Sequence, residues 1–109
     1  NMAKKRIPQA VINQVRIFSD SIRKDNVPIS GAYIFGSYAK GKQTNWSDID
    51  LCIVSSAFEK KIKNPMNYLW SKRLAVNDFT IEPVGFSPSD FAEESPLISE
   101  IKKYGIMVR

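Results

Sequence analysis

The stretch that decides the fold runs from residue 29 to residue 55 and reads ISGAYIFGSYAKGKQTNWSDIDLCIVS. Two largely apolar segments, 29–35 and 48–55, flank a polar segment that contains two glycines. Short apolar runs of this kind are typical of buried strands. Glycine, threonine and asparagine between them indicate a helical turn followed by a loop. This stretch therefore predicts two strands joined by a short polar connection.

The residues before this stretch predict an amphipathic helix. Apolar side chains recur there at steps of three and four residues: Val11, Ile12, Val15, Phe18 and Ile22. Pro8 precedes them, and proline is common at helix starts. Because Pro28 disfavours helical backbone at the residue before it, we expect this helix to end near Asn26.

The residues after the stretch predict a second helix, a third strand and two further helices. The helix covers residues 66–74 and the strand covers residues 79–86. Pro83 cannot donate a backbone hydrogen bond, so this strand is expected at an edge or at a bend. Ser87 and Ser95 each precede a proline, a pattern typical of a capped helix start. The order of elements predicts an α/β (α+β) fold with a small mixed β-sheet flanked by helices.

Length and composition agree with one folded unit. The chain has 109 residues, of which 43% are hydrophobic, so we expect a single domain over residues 1–109. Asn1 stands before Met2 and is interpreted as a remnant of recombinant expression, with Met2 as the natural start. No apolar run approaches the roughly 20 residues that cross a bilayer, and no signal segment is evident. We expect a cytoplasmic protein without a membrane partner.

Several kinds of catalytic site are excluded by what the chain lacks. It has no histidine, which rules out a Ser-His-Asp triad, a Cys-His pair and a histidine-bound zinc within this chain. The single Cys52 rules out an internal disulfide or a cluster of thiolates around zinc. Any catalysis must use carboxylates, lysine, hydroxyls, backbone amides or a metal held by oxygen. Oxygen ligands favour magnesium, manganese or calcium.

Charge is positive overall and uneven along the chain. The net charge is +5, with six basic residues and one acid in residues 1–24, but six acids and no base in residues 74–101. This balance favours a polyanionic ligand such as a nucleotide or a nucleic acid. Solvated surface lysines are the plainer interpretation. Nucleic-acid binding would need only the basic run Lys4 to Arg6, and it is not favoured.

Paired carboxylates introduce the second predicted strand. Asp48 and Asp50 share one face because side chains alternate along a strand, and their mutual repulsion is unfavourable unless a cation or hydrogen-bond donors compensate. Two divalent metals would do so. Glu82, in the third predicted strand, would complete a three-carboxylate cage, with Asp78 of the same parity as the alternative. A solvated strand entry and a solvent-facing glutamate are the competing interpretations.

A second candidate site follows the first strand. Gly36 allows the backbone to turn tightly and a ligand to approach, and Ser37 opens a turn whose amides could bind phosphate. An ordinary strand-to-helix turn is the alternative. Lys40 and Lys42 could reach a triphosphate or could be solvated loop residues. Trp46 could stack on a base or brace the loop beside the carboxylates.

Taken together, these features resemble a known family. The run GSYAKGKQTNWSDIDLCIV resembles the signature of the DNA polymerase β nucleotidyltransferase superfamily, including Ala39, Gly41 and Ser47 at the expected places. The chain is similar over nearly its whole length to the minimal nucleotidyltransferases, the small stand-alone branch. The resemblance implies the fold of that superfamily's core.

The resemblance also implies roles for individual residues. Gly36 and Ser37 would hold the β- and γ-phosphates, and Asp48 and Asp50 would bind two magnesium ions. Glu82 would be the third catalytic carboxylate and metal ligand, at a place where aspartate is common. The expected nucleotide-binding residues are Gly36, Ser37, Lys40, Lys42 and Ser47.

The implied reaction is magnesium-dependent transfer of a nucleoside monophosphate, expected to be AMP from ATP, to an acceptor hydroxyl. Some stand-alone members are antitoxins that AMPylate a tyrosine of a small helical HEPN-type toxin, so a toxin–antitoxin pair is the first hypothesis. A small-molecule acceptor, as in aminoglycoside nucleotidyltransferases, is the second. A catalytically inactive module that binds nucleotide or a partner is the third.

Overall fold

A four-stranded mixed sheet organises residues 7–109, the part of the chain that the computed structural model describes. Its strands are β1 (Gly31–Phe35), β2 (Ile49–Val54), β3 (Ile81–Phe86) and β4 (Ile106–Met107). Their order across the sheet is β3-β2-β1-β4. β1 is antiparallel to both β2 and β4, whereas β2 and β3 are parallel. The predicted α/β class with a small mixed sheet is confirmed.

Five α-helices surround the sheet within these residues. They are α1 (Gln9–Arg23), α2 (Ser37–Lys40), α3 (Pro65–Val76), α4 (Pro88–Phe91) and α5 (Pro96–Tyr104), and a 3₁₀ turn covers Ser56–Phe58. The two predicted serine caps are confirmed, since Ser87 accepts from the Asp90 amide and Ser95 from the Ile98 amide. None of the helices in residues 7–109 is both long and apolar enough to cross a membrane.

The main core lies between one face of the sheet and the helices α1 and α3. The buried residues of α1 recur at the predicted helical spacing. They pack with β-strand side chains of one parity and with Leu69 of α3: Ala32, Ile34, Ile49, Leu51, Ile53 and Ile81. The other face carries a smaller cluster that includes Phe35, Cys52, Val54 and Ile101. Asp50 and Glu82 have the strand parity of this second face.

Several predicted boundaries were wrong by a few residues, each for a local reason. α1 ends at Arg23 rather than near Asn26, because the chain turns there and Asn26 is left-handed with φ of 62°. β3 begins at Ile81 rather than Phe79, because the Asp78 carboxylate accepts from the Thr80 amide and closes a turn. Asp48 precedes β2, which begins at Ile49.

The prediction that Pro83 lies at a sheet edge or at a bend is confirmed. Among the described residues, β3 pairs only with β2, so the strand that contains Pro83 forms one edge of the sheet. Trp70 of α3 donates its indole N–H to the Pro83 carbonyl at 3.0 Å, so this edge is fastened to the helix that covers it. The interpretations of Asn1 and of the basic run Lys4 to Arg6 lie outside the described residues.

Leu69 should be a principal source of stability on α3. The Leu69→Ala variant is expected to lose about 2–5 kcal/mol in the free energy of unfolding, because a fully buried side chain would leave a cavity. Urea denaturation measures this. Leu74→Ala on the same helix is the matched control: Leu74 is 71% exposed, so its loss should stay within about 0.5 kcal/mol. Equal losses would contradict the assignment of the core.

Candidate active site

The turn at Gly36, for which the sequence suggests phosphate binding, and the carboxylates lie together at one end of the sheet. Because β1 and β2 are antiparallel, the end of β1 lies beside the start of β2, and Phe35 pairs with Asp50. Because β2 and β3 are parallel, both begin at this end, and Asp50 pairs with Glu82. Neighbouring strands are about 4.8 Å apart, so the register brings these two carboxylates side by side.

Gly36 provides the space that the Asp50 carboxylate occupies. A Cβ atom built on Gly36 would overlap Oδ2 of Asp50. The Gly36 backbone also has φ of 70° and ψ of −142°, a combination that residues with side chains rarely adopt. Both observations require glycine at this position. They show direct packing between the turn after β1 and a carboxylate of β2.

The surroundings of Glu82 and Asp50 disfavour the ionised forms of these two carboxyl groups. Burial raises the pKa of Glu82, and a hydrogen bond with Asp48 and repulsion from Asp48 and Asp50 add to this. Arg73 acts in the opposite direction. Burial also raises the pKa of Asp50, followed by repulsion from Asp48 and from Glu100. The cluster is therefore a site of concentrated negative charge that a bound cation would relieve.

Among residues 7–109, no three acidic or cysteine side chains form a group that could hold a metal ion by themselves. The predicted three-carboxylate cage is thus not closed: Glu82 pairs with Asp48, while Asp50 packs against Gly36. The donors still suit magnesium, which prefers oxygen and is usually bound through one or two carboxylates together with substrate phosphates. The residues present therefore fit a magnesium site that a triphosphate would help to complete.

Asp78, the alternative third carboxylate, has a different set of contacts. It accepts hydrogen bonds from Gln14 of α1 and from the amide and hydroxyl of Thr80. Burial raises the pKa of Asp78, but these hydrogen bonds outweigh burial and lower it below its ordinary value. Asp78 therefore fastens the turn before β3 to α1. Glu82, opposite Asp50, is the carboxylate that the fold brings to the cluster.

The other predicted nucleotide-binding residues, Lys40, Lys42 and Ser47, differ in the contacts that they already make. Lys40 forms an ion pair of 3.5 Å with Glu100 of α5 and lies 5.3 Å from the centre of the Tyr104 ring. Lys42 is exposed, and its amide donates to the Ser37 carbonyl. The hydroxyl of Ser47 accepts from the Thr44 amide at 2.7 Å, which makes Ser47 a loop-forming residue.

Two charged residues beside the site were missed by sequence reasoning. The charge of Glu100 helps to raise the pKa of Asp50, and Glu100 forms an ion pair with Lys40. Arg73 influences Glu82, stacks 4.2 Å from the Trp70 ring centre, and has a buried Nε without a hydrogen-bond partner. Both lie on helices far along the chain from the motif. Only their packing against the sheet reveals them, so no sequence pattern signals their role.

A protein-family model described as a nucleotidyltransferase domain matches residues 15–108. This range includes both strands of the motif, the turn at Gly36 and all three carboxylates. A search of curated protein sequences finds no match.

Solved structures share the fold. A toxin–antitoxin crystal structure with AMP-PNP has a TM-score of 0.56 at 22% identity, covering 88% of this chain and 70% of that one. A mutant of the toxin–antitoxin MntA-HpeT has a TM-score of 0.57 at 20% identity, with the same coverage. A protein from Sulfolobus solfataricus, provisionally named a nucleotidyltransferase, has a TM-score of 0.56 at 18% identity, covering 91% and 76%.

Glu82→Gln should stabilise the protein at neutral pH in the presence of EDTA. The folded-state pKa of Glu82 lies above its ordinary value of 4.5. The contribution of Glu82 to the free energy of unfolding is therefore complete below pH 4.5 and is lost as pH rises through the raised pKa. The variant should therefore have a higher free energy of unfolding than the native protein at pH 7 and little advantage at pH 4. Urea denaturation at both values measures this.

Asp78→Asn is the control with the opposite sign. The pKa of Asp78 is lowered in the fold. The contribution of Asp78 to the free energy of unfolding is therefore present above pH 3.8 and is lost as pH falls through the lowered pKa. This variant should be less stable than the native protein at pH 7. A destabilised Glu82→Gln variant at pH 7 would contradict the charge repulsion inferred for the cluster.

Proposed function

Because the chain belongs to the nucleotidyltransferase domain family, we propose that it transfers a nucleoside monophosphate from a triphosphate to an acceptor hydroxyl. The acceptor oxygen would bond to the α-phosphorus, the bond to the bridging oxygen would break, and pyrophosphate would leave. The observation that carries this proposal is the convergence of the Gly36 turn with Asp48, Asp50 and Glu82 at one end of the sheet.

We assign the phosphate end of the donor to the turn after β1. The Ser37 hydroxyl and nearby amides can donate hydrogen bonds to a phosphate, and Gly36, whose missing side chain leaves room for Asp50, keeps that carboxylate beside the turn. Lys42, which is exposed, can reach a bound triphosphate. Lys40 would first have to leave Glu100, and Ser47 would act by holding the loop rather than by contacting the nucleotide.

We assign magnesium binding to Asp48, Asp50 and Glu82. Bound magnesium would supply charge stabilisation for the attacking and leaving oxygens and would lower the pKa of the attacking hydroxyl. The protein's own part is positioning, on which phosphoryl transfer chiefly depends. Asp50 is fixed against Gly36, and Glu82 is fixed by its register with β2. A carboxylate oxygen of Glu82 is suited to accept the proton of the acceptor hydroxyl.

We propose ATP as the donor and a tyrosine of a small helical HEPN-type toxin as the acceptor, so that the protein would be an AMPylating antitoxin. Two structures of similar fold are toxin–antitoxin structures, and one of them contains AMP-PNP. Since ATP is a cytoplasmic donor, the reaction would take place in the cytoplasm.

The proposal is tested with labelled ATP, magnesium and a purified HEPN-type protein as the candidate partner. The native protein should transfer label to that partner. Asp48→Asn and Asp50→Asn should each reduce the rate by roughly 100-fold or more, the scale for loss of a preorganised charged group.

Asp78→Asn serves as the control for charge removal near the site, because Asp78 fastens a turn and lies outside the proposed cluster. Its rate should stay close to the native rate at a temperature where it is folded. Failure of the native protein to label the partner, while it binds ATP and magnesium, would overturn the proposed acceptor. Label on an aminoglycoside instead would indicate the small-molecule hypothesis.

A further inference from the structure

Trp46 is unusual because the fold makes almost no use of its indole ring. It is 92% exposed, the highest value among the large apolar side chains of residues 7–109. The other tryptophan, Trp70, donates a hydrogen bond to Pro83 and stacks with Arg73. Within the described residues, Trp46 takes part in no aromatic pair and no cation–π contact. Of the two roles that the sequence leaves open for Trp46, bracing of the loop is therefore contradicted.

Polar contacts hold the loop in place of the indole. The Thr44 amide donates to the Ser47 hydroxyl at 2.7 Å, and the Ser47 amide donates to the Thr44 carbonyl at 3.2 Å. The Trp46 amide donates to the Thr44 hydroxyl at 3.2 Å. The backbone is thus fixed by its own turn while the ring extends into solvent. A large apolar ring held in this way is available to a ligand.

The position of the ring relates it to the carboxylate cluster. Trp46 is two residues before Asp48, so their Cα atoms are at most about 7 Å apart. The loop also connects the Gly36 turn to β2. A molecule whose phosphates are bound between these two features would therefore extend within reach of the indole.

Phe79 and Tyr104 are other exposed aromatic residues linked to this end of the fold, but their rings already have cationic neighbours. The Arg73 guanidinium lies 5.7 Å from the centre of the Phe79 ring, and the ammonium groups of Lys40 and Lys103 each lie 5.3 Å from the centre of the Tyr104 ring. Lys40 is also paired with Glu100, which fixes it near that ring. Trp46 is therefore the aromatic side chain near the cluster whose ring is free of such contacts in the described structure.

We propose that Trp46 is the stacking platform for the base of the donor nucleotide. This inference rests on the proposed function, because it assumes a triphosphate bound at the carboxylates. Those groups and the Gly36 turn interact with phosphate and do not recognise a base. Base–aromatic stacking is tolerant of base identity, since every base has a π-face. The donor preference should accordingly follow ring size, with purine triphosphates binding more tightly than pyrimidine ones.

The test compares binding of Mg–AMP-PNP with binding of magnesium tripolyphosphate, which has no base. By isothermal titration calorimetry, Trp46→Ala should weaken AMP-PNP binding by roughly 5- to 150-fold, the range for loss of one stack. The affinity for tripolyphosphate should be unchanged. Trp46→Phe should recover much of the loss, because phenylalanine can also stack. Leu74→Ala, a truncation of another exposed apolar side chain, should change neither affinity.

Fluorescence gives an independent measurement. Emission of the native protein should be quenched by Mg–AMP-PNP and unaffected by tripolyphosphate. The Trp46→Phe variant, which keeps only Trp70, should lose the quenching while still binding the nucleotide.

Three results would overturn the inference. Equal AMP-PNP affinity of native protein and Trp46→Ala would exclude stacking. Parallel losses for AMP-PNP and tripolyphosphate would indicate a disturbed metal site instead. Normal nucleotide binding with reduced labelling of a protein acceptor would assign Trp46 to acceptor contact. Failure of the proposed function would look different. In that case the native protein would still bind AMP-PNP, but it would transfer no label from ATP to any acceptor.

Discussion

The parallel register between β2 and β3 is the constraint on which the candidate site depends. It places Glu82 beside Asp50, and a shift by one residue would turn Glu82 to the face covered by α1 and α3. Ile81 on that face is fully buried, so the main core opposes such a shift. Packing on one side of the sheet thereby fixes the carboxylates on the other side.

This arrangement brings together charges that repel one another, and neighbouring groups limit the cost. Arg73 partly offsets the charge at Glu82, and its own guanidinium is held by stacking on Trp70 and by a hydrogen bond to the Phe79 carbonyl. Lys40 pairs with Glu100 and so reduces the repulsion that Glu100 adds at Asp50. Local carboxylate repulsion of this kind is frequent where a protein prepares a site for a cation.

Local signals in the sequence were enough to predict the elements and the two halves of the motif. The caps at Ser87 and Ser95 and the periodic face of α1 depend on residues a few positions apart, so they can be read without the fold. The choice between Asp78 and Glu82 could not be made from the sequence, because both have the same strand parity. It depends on the turn at Thr80, which excludes Asp78 from β3 and directs it to Gln14.

Contacts between residues distant in sequence could not be predicted either, because they depend on how the chain folds. Nothing in the motif indicates that Lys40 pairs with a residue 60 positions later, or that Arg73 lies near Glu82. The exposure of Trp46 likewise depends on what the rest of the chain leaves uncovered. These features come from how α3 and α5 pack against the sheet.

The mixed sheet also sets an order in which the site can be assembled during folding. Gly36, Asp48 and Asp50 belong to an antiparallel pair closed by a short connection, which the chain can form early at a small entropic cost. Glu82 arrives only through the longer crossover that contains α3, and parallel pairing of this kind is slower. A partly folded chain would hold the turn and two carboxylates without the third. Completion of the site therefore coincides with completion of the hydrophobic core.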